Sequence, residues 1–478
     1  MRISSLINAL RLVALCVPMV VACADVDPRD AKSPNIILIL TDDQGWGATS
    51  LLVDPEVPES RSDYFRTPNI ERLAAQGMRF TRAYAPHPNC SPSRASIQTG
   101  RSPAALHFTD VPRPEAPELY VGNRLNPPRT LFELVREERT LPELIKAARP
   151  EYRTAHFGKW HLGSGGPEEH GFDASDGDTK NREGSDSRNL PDDPKRSFGL
   201  TRRSIDWMRA QVSGEHPFFL QVSHYAVHQP IQFLAESGES SLGRPRGVRH
   251  QNAGFAAMSH DLDVAIGQLL AAVDELGITD ETWILFTSDN GTYPTPDASN
   301  INGPLRGFKA TIWEGGVRVP FIVRGPGVEA NSVSRVPLIG YDILPTVCEL
   351  LSIEDLPAVL EGGSFLPVVL GADSPRIERR RNRFGFHWPH YQHSKETKPS
   401  TAWLDLASGY KLHYFWEDGH LELYDLGVDL DESDDLAAKE TERASRMKSE
   451  LDAFLADVDA WLPTPNPDFD AAKDPADR

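Results

Sequence analysis

Apolar runs of six or seven residues recur along the chain, and each stops abruptly at a short polar string. Asn35–Leu40 reads Asn-Ile-Ile-Leu-Ile-Leu and breaks at Thr41-Asp42-Asp43-Gln44-Gly45. Tyr152–Phe157 breaks at Gly158-Lys159-Trp160-His161, Pro217–Ser223 runs into His224 and His228, and Thr282–Thr287 into Ser288-Asp289-Asn290-Gly291. Continuous rather than alternating hydrophobicity marks strands covered on both faces, as in a parallel sheet. Arg79–Ala85 reads as a further strand. Between these runs lie helices with marked ends. Thr67 is an N-cap, Pro68 takes the first helical position and Gly77 closes that helix. Thr140 and Glu143 form a capping box, Phe255–Leu276 is helical up to Gly277, and Tyr341–Leu351 is a helix with an Asp start signal and Cys348 in its core. Alternating strands and helices predict an α/β fold whose ligands gather beyond the carboxyl ends of the strands.

The pattern changes toward the carboxyl end. Gly163–Lys195 is rich in Gly, Asp, Glu and Ser and reads as an exposed loop. Arg376–Arg383 is a basic run read as a solvated surface turn. Beyond it, Lys411–Trp416 and His420–Leu426 flank Asp418-Gly419 as a hairpin, and a helix is predicted over 434–461. The predicted organisation is a targeting segment at 1–23, a large α/β domain at 24–375 and a smaller α+β subdomain at 376–478. No internal repeat is apparent.

The apolar run Leu12–Ala22, flanked by Arg2 and Arg11, is too short to span a bilayer and is typical of an export signal. Val20-Val21-Ala22-Cys23 looks like a bacterial lipobox that leaves Cys23 lipid-modified, and Ala22-Cys23-Ala24 also fits ordinary signal cleavage. Either reading places the protein in the bacterial periplasm or at the outer surface, the first with a lipid anchor to the membrane. Outside this region only Cys90 and Cys348 remain, too few for a disulfide framework. Lys plus Arg number 50 against 69 Asp plus Glu, a formal charge of −19. That field argues against nucleic acid as a partner, and any site for an anion must concentrate positive charge locally.

Asp42 and Asp43 at one strand end, with Asp289 and Asn290 at another, offer oxygen ligands from distant parts of the chain. Oxygen donors without a Cys/His cluster suit a hard cation, Ca²⁺ or Mg²⁺. Cys90-Ser91-Pro92-Ser93-Arg94-Ala95, running on to Thr99-Gly100-Arg101, resembles the signature of the type I, formylglycine-dependent sulfatases of the alkaline-phosphatase-like superfamily. Gly158-Lys159-Trp160-His161-Leu162-Gly163, His228-Gln229-Pro230, and Arg306-Gly307-Phe308-Lys309 through Trp313-Glu314-Gly315-Gly316 match further family motifs. Phe308 and Ala310 often correspond to glycine in relatives, which puts the loop shape in question while Lys309 stays in place.

The resemblance implies a large, mostly parallel-sheet α/β sandwich with a smaller C-terminal subdomain. It also implies oxidation of Cys90 to formylglycine by a dedicated formylglycine-generating enzyme. One calcium ion, with magnesium as the lesser alternative, is implied on Asp42, Asp43, Asp289, Asn290 and the residue-90 oxygen. By the same resemblance the hydrated aldehyde attacks sulfur with Asp289 accepting its proton, and Arg94 steadies the aldehyde and the metal. Lys159 and Lys309 bind sulfate, His161 is the base of the elimination step, and His228 is the acid toward the leaving oxygen. Similar strings to Phe386-His387-Trp388-Pro389-His390 occur near the substrate mouth of carbohydrate sulfatases, which makes His387 and His390 candidate substrate contacts. The expected activity is release of sulfate from a sulfated carbohydrate. The alternatives are an arylsulfatase, a phosphate or phosphonate monoester hydrolase on the same fold, and a surface lipoprotein that binds sulfated glycans without cleaving them.

Overall fold

Asn35–Thr41 lies near the middle of an eight-stranded sheet in the computed structural model, which describes residues 33–111, 121–185, 190–294, 301–372, 376–392 and 397–474. The expected signal segment and Cys23 fall outside those residues. Across the sheet the strands run Ser332–Ser334, Met78–Phe80, Phe321–Arg324, Thr282–Ser288, Asn35–Thr41, Phe218–Ser223, Arg153–Gly158 and Ala174–Ser175. The last five are parallel, while Phe321–Arg324 is antiparallel to both neighbours. The central strand is apolar on both faces because both are covered. Ile37 and Ile39 pack into one core, Ile36, Leu38 and Leu40 into the other.

Register then places the chemistry. Leu40 pairs with Ser223, Thr41 with Ser288 and Gly158 with Ser223, so the polar strings after four strands emerge along one edge. Helix Ala253–Glu275, capped by the Asn252 side chain accepting from the Phe255 N–H at 2.8 Å, covers one face. On the other side lies Cys90–Thr99, buried at every position and ended by Gly100 at φ 70°. Gly is needed there because a side chain in the left-handed region is strained.

The carboxyl-terminal part is a four-stranded antiparallel sheet of Arg383–Trp388, Ser400–Asp405, Tyr410–Phe415 and Leu421–Asp425, which contains the predicted hairpin. Helix Thr441–Asp457 buries Met447, Leu451 and Phe454 against Leu412 and Leu423 of that sheet, each contributing about 1.5–3 kcal/mol.

Four expectations change. Arg79–Ala85 is two short strands, Met78–Phe80 and Ala83–Tyr84, with different partners. The last helix begins at Thr441 rather than 434, because Leu436 donates its N–H to Leu423 O at 2.8 Å and stays against the sheet edge. Gly163–Lys195 is no exposed loop: it supplies the edge strand and buries His170, Thr179 and Lys195. The basic run is partly internal, since buried Arg379 grips buried Asp342 at 2.6 Å and lies over the Phe384 ring. Among the described residues no helix is long and apolar enough to cross a membrane.

Candidate active site

Cys90 opens its helix at the carboxyl edge of the sheet, so its side chain faces the polar residues arriving from the strand ends. Its Sγ donates to Asp42 Oδ1 at 3.4 Å and Asp43 Oδ1 at 3.8 Å, and accepts from Lys309 Nζ at 3.1 Å. Residues 219 positions apart in the chain meet only because the sheet and the Lys309 loop close on one another. Lys309 also donates to Asp43 Oδ1 and Lys159 to Asp42 Oδ2, both at 2.6 Å. Arg94, one turn after Cys90, donates from Nε to Asp289 Oδ2 at 2.8 Å and from Nη1 to Lys159 O at 2.6 Å. It thereby ties the cysteine helix to two strand ends.

Charge in the site is dense and balanced. Burial alone would raise Asp42, but Lys159, His228, Arg94 and Lys309 hold it well below the usual carboxylate range. Asp43 is lowered too, burial being outweighed mainly by Lys309. Asp289 goes the other way: burial and the charge of Asp42 push it up to about 6 despite Arg94. Burial and Asp289 push the Cys90 thiol up to about 12. An unmodified thiol of that kind is not a nucleophile at neutral pH.

Asp42, Asp43, Cys90 and His228 bring four ligand atoms within 4.8 Å of one another. Asn290 donates from Nδ2 to Asp43 Oδ1 at 2.7 Å, and its Oδ1 is buried with no hydrogen-bond partner among the described residues. An orphaned carbonyl oxygen beside two carboxylates fits a hard divalent cation. Asp289, by contrast, is engaged by the protein: Oδ2 by Arg94 and Oδ1 by the Asp43 N–H at 3.1 Å. His228 enters the cluster instead, a residue that sequence reasoning placed on the substrate, as the acid toward its leaving oxygen, and not among the metal ligands.

His228 Nδ1 lies 2.6 Å from Gln229 O and must donate to it, which leaves Nε2, 3.8 Å from Asp43 Oδ2, facing the cavity. Burial and Lys309 push the ring down to about 4. His161 is buried, its Nδ1 has no hydrogen-bond partner among the described residues, and burial with Lys159 and Arg94 holds it well below its ordinary value. His224 is also buried, with neither ring nitrogen bonded among the described residues. Ala310 occupies the left-handed region at φ 70°, a conformation that favours glycine, and Lys309 still reaches Asp43.

A cavity of about 410 Å³ opens above this cluster, lined by Asp43, Cys90, His228 and Lys309 with Asp110, Asn181, Tyr293 and Gln392. These last four belong to no motif, Asn181 opening the short helical turn Asn181–Gly184 and the others lying in loops, so nothing in the sequence pointed to them. His387 does not join them. It is 1% exposed, and its Nδ1 and Nε2 bond Thr401 Oγ1 at 2.8 Å and Trp461 O at 3.0 Å. The substrate-contact expectation is corrected: no ring nitrogen is left for a ligand. His390 is buried as well, with Nε2 2.8 Å from Thr109 Oγ1, and does not line the cavity.

A family model described as Sulfatase matches residues 34–353, and one described as N-sulphoglucosamine sulphohydrolase, C-terminal, matches 308–459. N-acetylgalactosamine-6-sulfatase of Canis lupus familiaris is 31% identical over 372 residues, covering 71% of this chain and 66% of that protein. The chain thus spans just under two thirds of this relative's length. Ps i-CgsB in complex with k-i-k-neocarrahexaose superposes with a TM-score of 0.71 at 23% identity, covering 90% and 95% of the two chains. A structure solved with its substrate D-glucosamine-2-N,6-O-disulfate gives 0.70 at 20% identity, covering 90% and 98%.

Proposed function

Since the chain belongs to the sulfatase family, we propose that it is a sulfuric ester hydrolase that releases sulfate from a sulfated carbohydrate. The observation that carries this reading is the meeting of Cys90 Sγ with Asp42, Asp43 and Lys309 at the sheet edge. Such a site sets Lys159, Lys309 and Arg94 against three carboxylates, and a divalent cation held there would tip the balance positive, as an anionic ester requires. The neighbours of known ligand support a sugar substrate, since two are complexes with a carrahexaose and with a disulfated glucosamine.

Two groups complete the site. Cys90 is the position at which formylglycine would stand, and that group would supply the attacking oxygen. Asp42, Asp43, Asn290 Oδ1 and the residue-90 side chain would hold a divalent cation, calcium by the hardness of the donors, which supplies charge against that oxygen. The rest is done by the chain. Lys159 and Lys309 present ammonium groups to the equatorial sulfate oxygens, where charge builds in the transition state. Arg94 fixes Asp289 and the Lys159 carbonyl so that this geometry needs little reorganisation. Asp289, raised to about 6, accepts a proton near neutrality. His228 Nε2 faces the cavity; an arriving anion favours the protonated ring, which then donates to the leaving oxygen. His161, neutral and buried beside Lys159, takes up the proton released as sulfate departs.

We further read the amino-terminal segment as an export signal, with lipidation of Cys23 as the anchoring variant and maturation of Cys90 by the host's formylglycine-generating enzyme. Mass spectrometry of the Cys90 peptide, with sulfate release from a panel of sulfated saccharides, tests the reading. Converted Cys90 with sulfate release supports it; full activity in Cys90→Ala overturns the nucleophile. Faster turnover of matched phosphate esters favours the phosphoryl alternative, and binding without release from an unconverted thiol favours the glycan-binding one.

A further inference from the structure

Lys195 is the buried cation near the site that the reaction has not used. It lies in the short helical turn Pro194–Arg196 and is 3% exposed. Among the described residues its ammonium has no hydrogen bond or ion pair. Retaining a lysine in such a place is costly, because a buried charge without a counter-ion has lost its hydration and gained nothing.

The local frame is built to hold it inward. Lys195 and Arg196 both adopt positive φ, 57° and 54°, where non-glycine residues are strained. Asp193 fixes the turn by accepting the N–H groups of Phe198 and Gly199 at 2.9 Å each. Arg196 Nε donates to Glu183 O at 2.5 Å, clamping the turn to the Asn181–Gly184 segment. Asn181 lines the catalytic cavity, and Gly184 packs against Tyr225, next to Ala226, whose carbonyl accepts the Asp42 N–H at 3.0 Å. These contacts link the Lys195 turn to the segments that border the site. Burial pushes its ammonium down to about 8, opposed by the charges of Asp42 and Asp43.

The charge pattern says what this cation is for. Lys159 is paired with Asp42, Lys309 with Asp43 and Arg94 with Asp289. Each carboxylate of the site has its own cation, and Lys195 is the surplus positive group. We propose that Lys195 is a substrate-contacting cation whose ammonium binds an anionic oxygen of the sulfated substrate, either on the scissile sulfate or on a second acidic group of the sugar beside it. The inference rests on the sulfate-ester reading and adds a residue to it.

The test compares wild type, Lys195→Met and Lys195→Arg in full-length enzyme with converted Cys90. Substrates are a nitrophenyl sulfate, with one anionic group, and a disulfated saccharide; inorganic sulfate serves as product inhibitor. Lys195→Met should lower kcat/KM by about 10–100-fold on at least one substrate, the range for a lost charge-assisted hydrogen bond, and Lys195→Arg should recover most of it. The Tm of Lys195→Met should hold or rise, because an unpaired buried charge is gone. Loss on both substrates with weaker inhibition by sulfate assigns the contact to the scissile group; loss on the disulfated saccharide alone assigns it to the second. Rates within twofold of wild type on both substrates overturn the inference, as does a loss that comes with a lowered Tm and is not restored by arginine. Indifferent variants of an active wild type sink the inference alone, whereas a converted wild type that releases no sulfate sinks the esterase reading and the inference with it.

Discussion

Replacing Lys411 by Met is the sharpest test of how the carboxyl-terminal sheet supports the site. Lys411 Nζ lies 2.9 Å from Glu314 Oε1 and 3.1 Å from Glu432 Oε1, and all three side chains are 0% exposed. Glu432 Oε1 also accepts from His413 Nε2 at 2.7 Å, and its Oε2 accepts the Glu314 N–H at 2.7 Å. Glu314 stands at the base of the Lys309 loop, where the Gly315 N–H closes onto Arg306 O at 2.7 Å. Removing one member of a buried ion network leaves carboxylates uncompensated and costs about 3–5 kcal/mol. Spread over this chain's unfolding entropy, about 2.1 cal/mol/K per residue, that lowers Tm by roughly 3–5 °C. Replacing Arg139, whose Asp355 partner is 85% exposed, should cost less than about 1 kcal/mol and serves as control.

The pH dependence has a defined sign. Burial already raises Glu432, and Lys411 is the chief group that opposes the rise; without Lys411 the opposition is left to the Glu314 N–H and Arg306, so the rise grows. A carboxyl with a folded pKa above its unfolded value weakens the fold most above the folded pKa. The deficit shrinks as pH falls through that value toward the unfolded one, by about 1.4 kcal/mol for every tenfold difference in proton affinity between the two states. Thermal and urea unfolding from pH 5 to 8 measure this, and Lys411→Met with Glu432→Gln should recover about 1–3 kcal/mol through their coupling. A deficit under about 1 kcal/mol, flat with pH and unaffected by the second substitution, would refute the reasoning.

Arg94→Lys should lower kcat/KM by about 10–100-fold, since a lysine lacks the planar fork whose separate nitrogens hold Asp289 and the Lys159 carbonyl; steady-state kinetics showing less than a threefold loss speaks against it. His387→Ala should cost about 1–3 kcal/mol in unfolding experiments while leaving KM unchanged, as its ring bonds only Thr401 and Trp461; a raised KM with an intact Tm would return it to the substrate. Chelation should abolish activity, and calcium at about a hundredfold over its Kd should restore it and add about 2.7 kcal/mol of stability. Unchanged turnover and Tm after metal analysis shows no bound ion would remove the cation from the site.

Most of the fold was legible because both-face burial leaves an unmistakable trace: Asn35–Thr41, Phe218–Ser223 and Thr282–Ser288 are buried throughout, mostly apolar, and differ from expectation by one residue at most. The chemistry was legible for a related reason. Asp42, Lys159, His228 and Asp289 follow strand ends, and parallel register brings strand ends together whatever lies between them in the chain. Three-dimensional packing decided the rest. Exposure of a polar residue is a property of its neighbours, so His387 and Arg379, read as surface groups, are interior braces, and Lys195, hidden in a segment with the composition of a loop, is a buried charge. Likewise His228 beside Asp43, and Asp289 turned toward Arg94, depend on side-chain directions across elements far apart in the chain. Local sequence sets which residues end a strand; it is the closing of distant loops over that edge that fixes which oxygen meets which nitrogen.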